Sequence, residues 1–157
     1  MVEPPPEAGE RQRINTPMGI TMEKTSIVTH IAAAPAHSLS EMAFTHGIPD
    51  AATLQDLFEQ VPHIQERAQL SETHEETDHG HLVRYRMQAN VPRDEYYHRR
   101  FHLRHVLLYI ELLDGERIFL GGEDSYVKLS YSRDSGSTAS DNNQNRLEFT
   151  YTCPYTP

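Results

Sequence analysis

The clearest pattern in the chain is a strict alternation of apolar and polar residues in its C-terminal third. From Tyr126 to Tyr131 (YVKLSY), and again from Arg146 to Cys153 (RLEFTYTC), every second side chain is apolar. A period of two is typical of a strand with one buried and one solvent-facing side. The predicted inward-facing residues are Val127, Leu129, Tyr131, Leu147, Phe149, Tyr151 and Cys153. The pattern therefore predicts two strands of a half-buried antiparallel sheet.

Turn residues separate these strands from one another and from an apolar segment before them. Val106–Leu113 is dense in branched and aromatic residues, and Arg117–Leu120 follows it after Asp114-Gly115. An Asp-Gly pair accepts the positive φ angles of a two-residue type I′ turn, so a tight hairpin is predicted here. Gly121-Gly122 marks the next turn, and the polar segment Asp134–Asn145 predicts a long surface loop.

One segment has helical periodicity. Residues 50–61 (DAATLQDLFEQV) place apolar side chains three or four positions apart. Asp50 is suited to cap the first turn, and Pro62 ends the segment. The predicted apolar face contains Leu54, Leu57, Phe58 and Val61. A helix this short is marginal by itself, so it is expected to pack on a sheet.

The remaining segments before residue 101 predict strands and connections. Thr25–Ile31 predicts a first strand, whose facing is ambiguous because two adjacent residues, at 27 and 28, are both apolar. Gln65–Leu70 and Leu82–Pro92 flank a very polar turn and predict another hairpin. Residues 93–100 (RDEYYHRR) are interpreted as a charged, aromatic connection.

Together these elements predict a mainly β fold. We expect an antiparallel β-sandwich or barrel of six to eight strands with one short helix at residues 50–61. A length of 157 residues fits one domain. The Pro-rich, charged residues 1–17 are predicted to be an arm that is flexible or ordered by a partner, and residues 18–157 a single β-rich domain.

Composition excludes several kinds of partner and site. The net charge is −9 with His neutral, and a general binder of phosphate backbones needs a basic face, so nucleic acid is not expected as a partner. No apolar segment approaches the length of a membrane span, so no membrane is expected either. Cys153 is the only cysteine, which excludes an intrachain disulfide and a cysteine-only zinc cage. No cofactor is predicted.

Residues 74–81 (HEETDHGH) gather three imidazoles and three carboxylates. His74, His79 and His81 are donors of the type that zinc and nickel prefer, and in a strand His79 and His81 would project to the same side. The segment lacks the helical His-Glu-x-x-His spacing of a metalloprotease. A solvated hairpin tip also collects polar residues, because nothing there is buried. A metal-binding domain is therefore one alternative function.

A second cluster of basic and aromatic residues lies at residues 96–104. On an extended chain, one face would carry His98, Arg100, His102 and Arg104. That face suits a phosphate, an acidic partner surface or an interface carboxylate. We predict a protein interface here, whose imidazoles would make it sensitive to pH. The alternative is an ordinary solvated face at the start of a strand. The predicted interface residues are Tyr96, Tyr97, His98, Arg99, Arg100, His102 and Arg104.

Exposed tyrosines offer a third functional class. A carbohydrate-binding β-sandwich would use Tyr96, Tyr97 and Tyr126 to stack on sugar rings. A catalytic class is not expected: nucleophile-elbow and phosphate-loop patterns are missing from the sequence, and Cys153 is placed on the apolar side of its strand. We therefore predict that the chain is not an enzyme.

The C-terminal half resembles a known group of proteins. Residues 112–136 (LLDGERIFLGGEDSYVKLSYSRDSG) and 145–154 (NRLEFTYTCP) resemble small β-rich virion structural proteins of Bacteroidetes-type phages and prophages. The resemblance implies a tail or neck component, such as a terminator, a connector or a tube-associated protein. It further implies assembly with copies of itself and with other virion proteins, in a virion that is assembled in the host cytoplasm.

Overall fold

The described part of the chain is a curled antiparallel β-sheet with short helices packed on it. The computed structural model describes residues 21–63, 68–92, 94–134 and 144–154. The predicted arm at residues 1–17 and most of the predicted loop Asp134–Asn145 lie outside these residues. In chain order the elements are β1 (Thr21–Pro35), a 3₁₀ helix (Ala36–Glu41), β2 (Phe44–Thr45), β3 (Ile48–Pro49), α1 (Ala51–Leu57), β4 (Glu59–Gln60), β5 (Gln69–Thr77), β6 (Gly80–Val91), α2 (Glu95–Phe101), β7 (His105–Leu112), β8 (Arg117–Leu120), β9 (Val127–Lys128), β10 (Ser130–Asp134) and β11 (Gln144–Pro154).

Seven strands form the main path of the sheet, in the order β10-β11-β6-β5-β1-β7-β8. β9 pairs with β7, and β10 pairs with β11 after a single intervening residue, Leu129. One continuous segment therefore touches both ends of the curled sheet, which gives it a barrel-like form. The predicted mainly β, antiparallel fold is confirmed.

The first strand changes partners and facing at a bulge. β1 pairs with β5 over residues 21–27 and with β7 over residues 28–35, and its register on β7 shifts at Thr29. An extra residue in one strand restores the inward facing after an odd step. Val28 and Ile31 are therefore both fully buried although they are three positions apart. The bulge resolves the facing that the sequence left ambiguous.

β7 is buried on both faces. Its inward residues join the interior core, which contains Leu108 and Ile110 and also the predicted alternating residues of β9, β10 and β11. Its outward residues Leu107 and Tyr109 form a second core with Ala32, Ala34 and Phe58. The layer that covers this second core is built from residues 36–58, with Leu39, Met42, Ile48, Leu54 and Leu57 packed against it.

The predicted helix at residues 50–61 is shorter in the structure and ends at Leu57. Asp50 does not cap it with its side chain and instead accepts a hydrogen bond from the Thr45 hydroxyl at 2.6 Å. Residues 59–60 form β4, which pairs with Ala32 and Ala33 where β5 no longer borders β1. Pairing satisfies backbone groups of β1 that a longer helix would leave open. None of the helices in the described segments is long and apolar enough to cross a membrane.

A turn forms at Asp114-Gly115, but the predicted two-residue type I′ geometry is wrong. Gly115 has a φ of +93°, but Asp114 is not among the described residues with positive φ. The Gly115 amide donates to Leu112 and the Leu112 amide to Glu116, which makes a three-residue loop with a type I turn and a bulge. Two consecutive positive φ angles occur instead at His46 and Gly47, between β2 and β3.

We predict that Gly121→Ala destabilises the fold by about 1–3 kcal/mol. Gly121 has a φ of +118°, and a Cβ there would lie 2.7 Å from Cδ2 of the fully buried Leu107. Gly122→Ala is the matched control, because its nearest neighbour would be the flexible Ser125 hydroxyl at 3.5 Å. Denaturant unfolding of both variants checks the prediction, and equal stabilities would contradict it.

Candidate functional site

A helix that the sequence analysis interpreted as a connection carries most of the predicted interface. α2 begins after Asp94, whose Oδ1 accepts a hydrogen bond from the Tyr96 amide at 2.8 Å. Tyr97 and Phe101 are one turn apart and their rings stack, which fixes α2 on the interior core. The Asp-Glu start and the basic residues of the last turn are helix signals that the sequence contains.

Because residues 95–101 are helical, the predicted extended face of alternating basic residues is wrong. His98 and His102 instead lie one turn apart with their rings stacked, 4.8 Å between centroids. The Tyr131 amide donates to His102 Nδ1 at 2.9 Å. Burial, and secondly the nearby His98, lower the pKa of His102. His98 and His102 thus stack on each other and lie against Tyr131.

Two adjoining cavities lie between α2, the start of β7 and the end of β1. One is about 690 Å³ and the other about 400 Å³, and Pro35 and His105 line both. The β1–β7 pairing, with Pro35 opposite Val106, brings these distant segments together. We call the two cavities the cationic groove. Its other lining residues are Ala36, His37, Leu39, Ser40, Arg99, Arg100, Phe101, Arg104, Val106, Glu123 and Tyr126.

The arginines of the groove differ in their pairing. Arg100 Nε lies 3.4 Å from Glu59 Oε1, and the Tyr96 hydroxyl donates to the same carboxylate. Arg99 and Arg104 are exposed and make no ion pair with any other residue of the described segments. Two uncompensated positive charges therefore face the groove of a chain whose net charge is −9.

Leu103 is both strained and exposed at the corner between α2 and β7. Its φ is +55°, a left-handed conformation that costs a non-glycine residue about 1–2 kcal/mol. Its side chain is 58% exposed, so the fold gains little apolar burial from it. The corner is held by a hydrogen bond from the Leu103 amide to the Leu129 carbonyl at 2.8 Å. Strain of this kind is concentrated at functional sites.

The structure brings together two of the three predicted metal ligands. His74 lies in β5 and His81 in β6, and His74 Nδ1 is 3.0 Å from His81 Nε2. His74 Nε2 lies 2.8 Å from Glu72 Oε2, so the His74 ring bridges the carboxylate and His81. His79 lies in the turn, whose geometry separates it from the strand pair. Among the described residues, no group of three His, Cys, Asp or Glu side chains is arranged to hold a metal ion.

The three tyrosines of the carbohydrate hypothesis lie in different settings. Tyr97 packs against the interior core. Tyr96 is 56% exposed and bound to Glu59 through its hydroxyl. Tyr126 is 44% exposed, lines the larger cavity and stacks on His105 with 4.7 Å between ring centroids.

The larger cavity also contains hydroxyl, imidazole and carboxylate groups. Ser40, His37 and Glu123 line it, and within the described structure no hydrogen bond joins them. Cys153 lies outside the groove on β11, and burial raises the pKa of its thiol.

Sequence reasoning found the arginines but missed the rest of the groove. Pro35, His37 and Glu123 carry no local signal, because only the folding of distant segments, including the β1–β7 pairing, brings them to one cavity. No known protein family, no curated protein and no solved structure matches the chain.

We predict that Leu103→Asn raises the free energy of unfolding, by up to about 1 kcal/mol, since asparagine tolerates left-handed φ better than leucine does. Thermal unfolding monitored by circular dichroism measures the change. Leu113→Asn is the control: Leu113 is 67% exposed and is not among the described residues with positive φ, so no gain is expected there. A loss of stability in Leu103→Asn would contradict a strained corner.

We also predict a pH-dependent stability contribution from His102. Its folded-state pKa lies below the usual 6.5, so the unfolded chain binds the proton more tightly. The contribution is present above pH 6.5 and is lost as the pH falls through the folded-state value. His102→Asn retains an acceptor near Nδ1 but does not titrate. Urea unfolding between neutral and mildly acid pH should show a smaller loss in the variant than in the native chain. Parallel curves would contradict the prediction.

Proposed function

We propose that this chain is a non-enzymatic structural protein that assembles with copies of itself through the cationic groove, as a tail or neck component of a phage-like particle. The observation that carries the proposal is the placement of Arg99, Leu103 and Arg104 on one exposed corner. Two of these residues are uncompensated charges, and the third is an exposed apolar side chain in a strained conformation.

The charge at the corner favours a protein partner with carboxylates. Complementary charge steers association and fixes which surfaces meet. The chain carries 23 Asp and Glu residues against 14 Lys and Arg, so the surface of another copy supplies many carboxylates. A second copy of the chain is therefore a chemically suitable partner for the groove.

The apolar residues of the corner favour a contact that excludes water. Binding energy at interfaces is concentrated in tyrosine, tryptophan and arginine side chains that a partner desolvates. Tyr126, Arg99 and Arg104 are residues of these types, and all line the groove. A partner that covers Leu103 would also bury surface that the isolated chain leaves in water.

The particle role is supported by the sequence resemblance over residues 112–136 and 145–154. The segments that carry it include β8, β9, β10 and nearly all of β11, which lie at the two ends of the strand order of the sheet. A rigid β scaffold with one charged groove suits ring or lattice packing. Other virion proteins would then be the further partners, and the virion the location.

We expect the native chain to have a molar mass in solution that is a multiple of 18.0 kDa, and the double change Arg99→Glu, Arg104→Glu to shift it toward the monomer. Light scattering coupled to size-exclusion chromatography measures this. Arg86→Glu with Arg146→Glu is the matched control, since both residues are exposed on β6 and β11. This control changes the net charge equally.

A native chain that remains monomeric at every concentration tested would overturn the proposal. Oligomers that survive the groove change but not the control would place the contact elsewhere. An antibody against the chain that fails to label purified particles at the tail or neck would remove the particle role and leave the assembly role.

A further inference from the structure

We propose that the groove of one copy receives the tip of the β5–β6 hairpin of the next, so that copies join head to tail. We call residues 72–79 the acidic hairpin. The proposal rests on the proposed function, because it names the partner surface for the same groove. It goes further by excluding a two-fold contact of groove with groove.

The acidic hairpin carries the charges that the groove lacks. Glu76 and Asp78 are exposed and form no ion pair with another described residue. Glu75 has only a long contact with Arg84, 3.8 Å between Oε2 and Nη2. Two free carboxylates therefore match the two free guanidinium groups of Arg99 and Arg104. Arginine and carboxylate also form the most directional ion pairs in proteins.

The tip of the acidic hairpin is a narrow and exposed turn. β5 and β6 pair as far as Thr77 and Gly80, and Glu76, Asp78 and His79 are exposed. A narrow exposed turn is a suitable shape for entering an open groove between structural elements.

Within one copy, β1 separates the two surfaces. The strand begins at Thr21, which lies opposite Glu75 of the hairpin, and it ends at Pro35 in the groove. Fifteen residues of strand have a contour of about 45 Å. Contact between groove and hairpin is therefore made between different copies.

Charge also excludes a two-fold contact of groove on groove. Such an interface would bring Arg99 and Arg104 of each copy near those of the other. Like charges placed together at an interface are costly. A heterologous contact pairs each groove with a hairpin instead, and its repetition yields a closed ring or an open filament.

The test reverses charge on each surface separately. We expect Glu76→Lys with Asp78→Lys, and equally Arg99→Glu with Arg104→Glu, to weaken self-association by more than about tenfold. Mixing the two variants brings a native hairpin to a native groove and a reversed hairpin to a reversed groove, and both pairs are complementary in charge. The mixture should therefore assemble beyond a dimer although neither variant does so alone. All four changes in one chain should restore assembly. Sedimentation velocity measures each species.

The outcomes separate this inference from the proposed function. If the hairpin variant assembles like the native chain while the groove variant does not, the hairpin contact is wrong and assembly through the groove stands. If the mixture forms nothing, the head-to-tail pairing is wrong. If the native chain is monomeric, the proposed function itself fails. Circular dichroism verifies folding, and the neutral pair Glu76→Gln, Asp78→Asn replaces the hairpin variant if that variant does not fold, with the same direction expected.

Discussion

The structure depends on a single strand that is buried on both faces. β7 contributes Val106, Leu108 and Ile110 to the interior core and Leu107 and Tyr109 to the outer core. A strand of this kind must have a partner on each edge, because a buried backbone group without a hydrogen bond is costly. β1 occupies one edge, and β8 and β9 share the other. The covering layer of residues 36–58 exists because the outer face of β7 is apolar.

The double burial of β7 also determines where the groove forms. The chain leaves β1 at Pro35 to enter the covering layer, and it returns to β7 through the corner at Leu103. Both events occur at the same end of the β1–β7 pair, since Pro35 lies opposite Val106. Two loops and a helix end therefore meet beside a rigid pair of strands, and the cavities lie between them. Binding residues placed at the ends of a rigid scaffold are positioned precisely enough to select a partner.

The sequence predicts features that depend on residues close together in the chain, and it fails for features that depend on residues far apart. The alternation at residues 127–131 and 147–153 predicts the facing of those side chains correctly, because a period of two is a local property of a strand. The helix α2 was missed although Asp94 is a suitable cap, because its inward side consists of a single aromatic pair, Tyr97 and Phe101, among charged residues. The groove could not be predicted from the sequence, because Pro35 and Arg104 become neighbours only through strand pairing. The turn at Asp114 shows a third limit: Asp-Gly is compatible with several turn types, and the flanking register selects one.

The surface charges are distributed in a way that the fold does not require. Lys24 and Glu116 are paired at 2.9 Å, and within the groove Arg100 is held by Glu59. Within the described residues, Glu76 and Asp78 near one end of β1 and Arg99 and Arg104 near the other make no ion pair. Pairing such groups within the chain would add little stability at exposed sites. Pairing them between copies, where water is excluded, would add selectivity as well, because each end would then accept only its complement. A partner that covered Arg99, Leu103 and Arg104 together would also give the strained, exposed Leu103 a role.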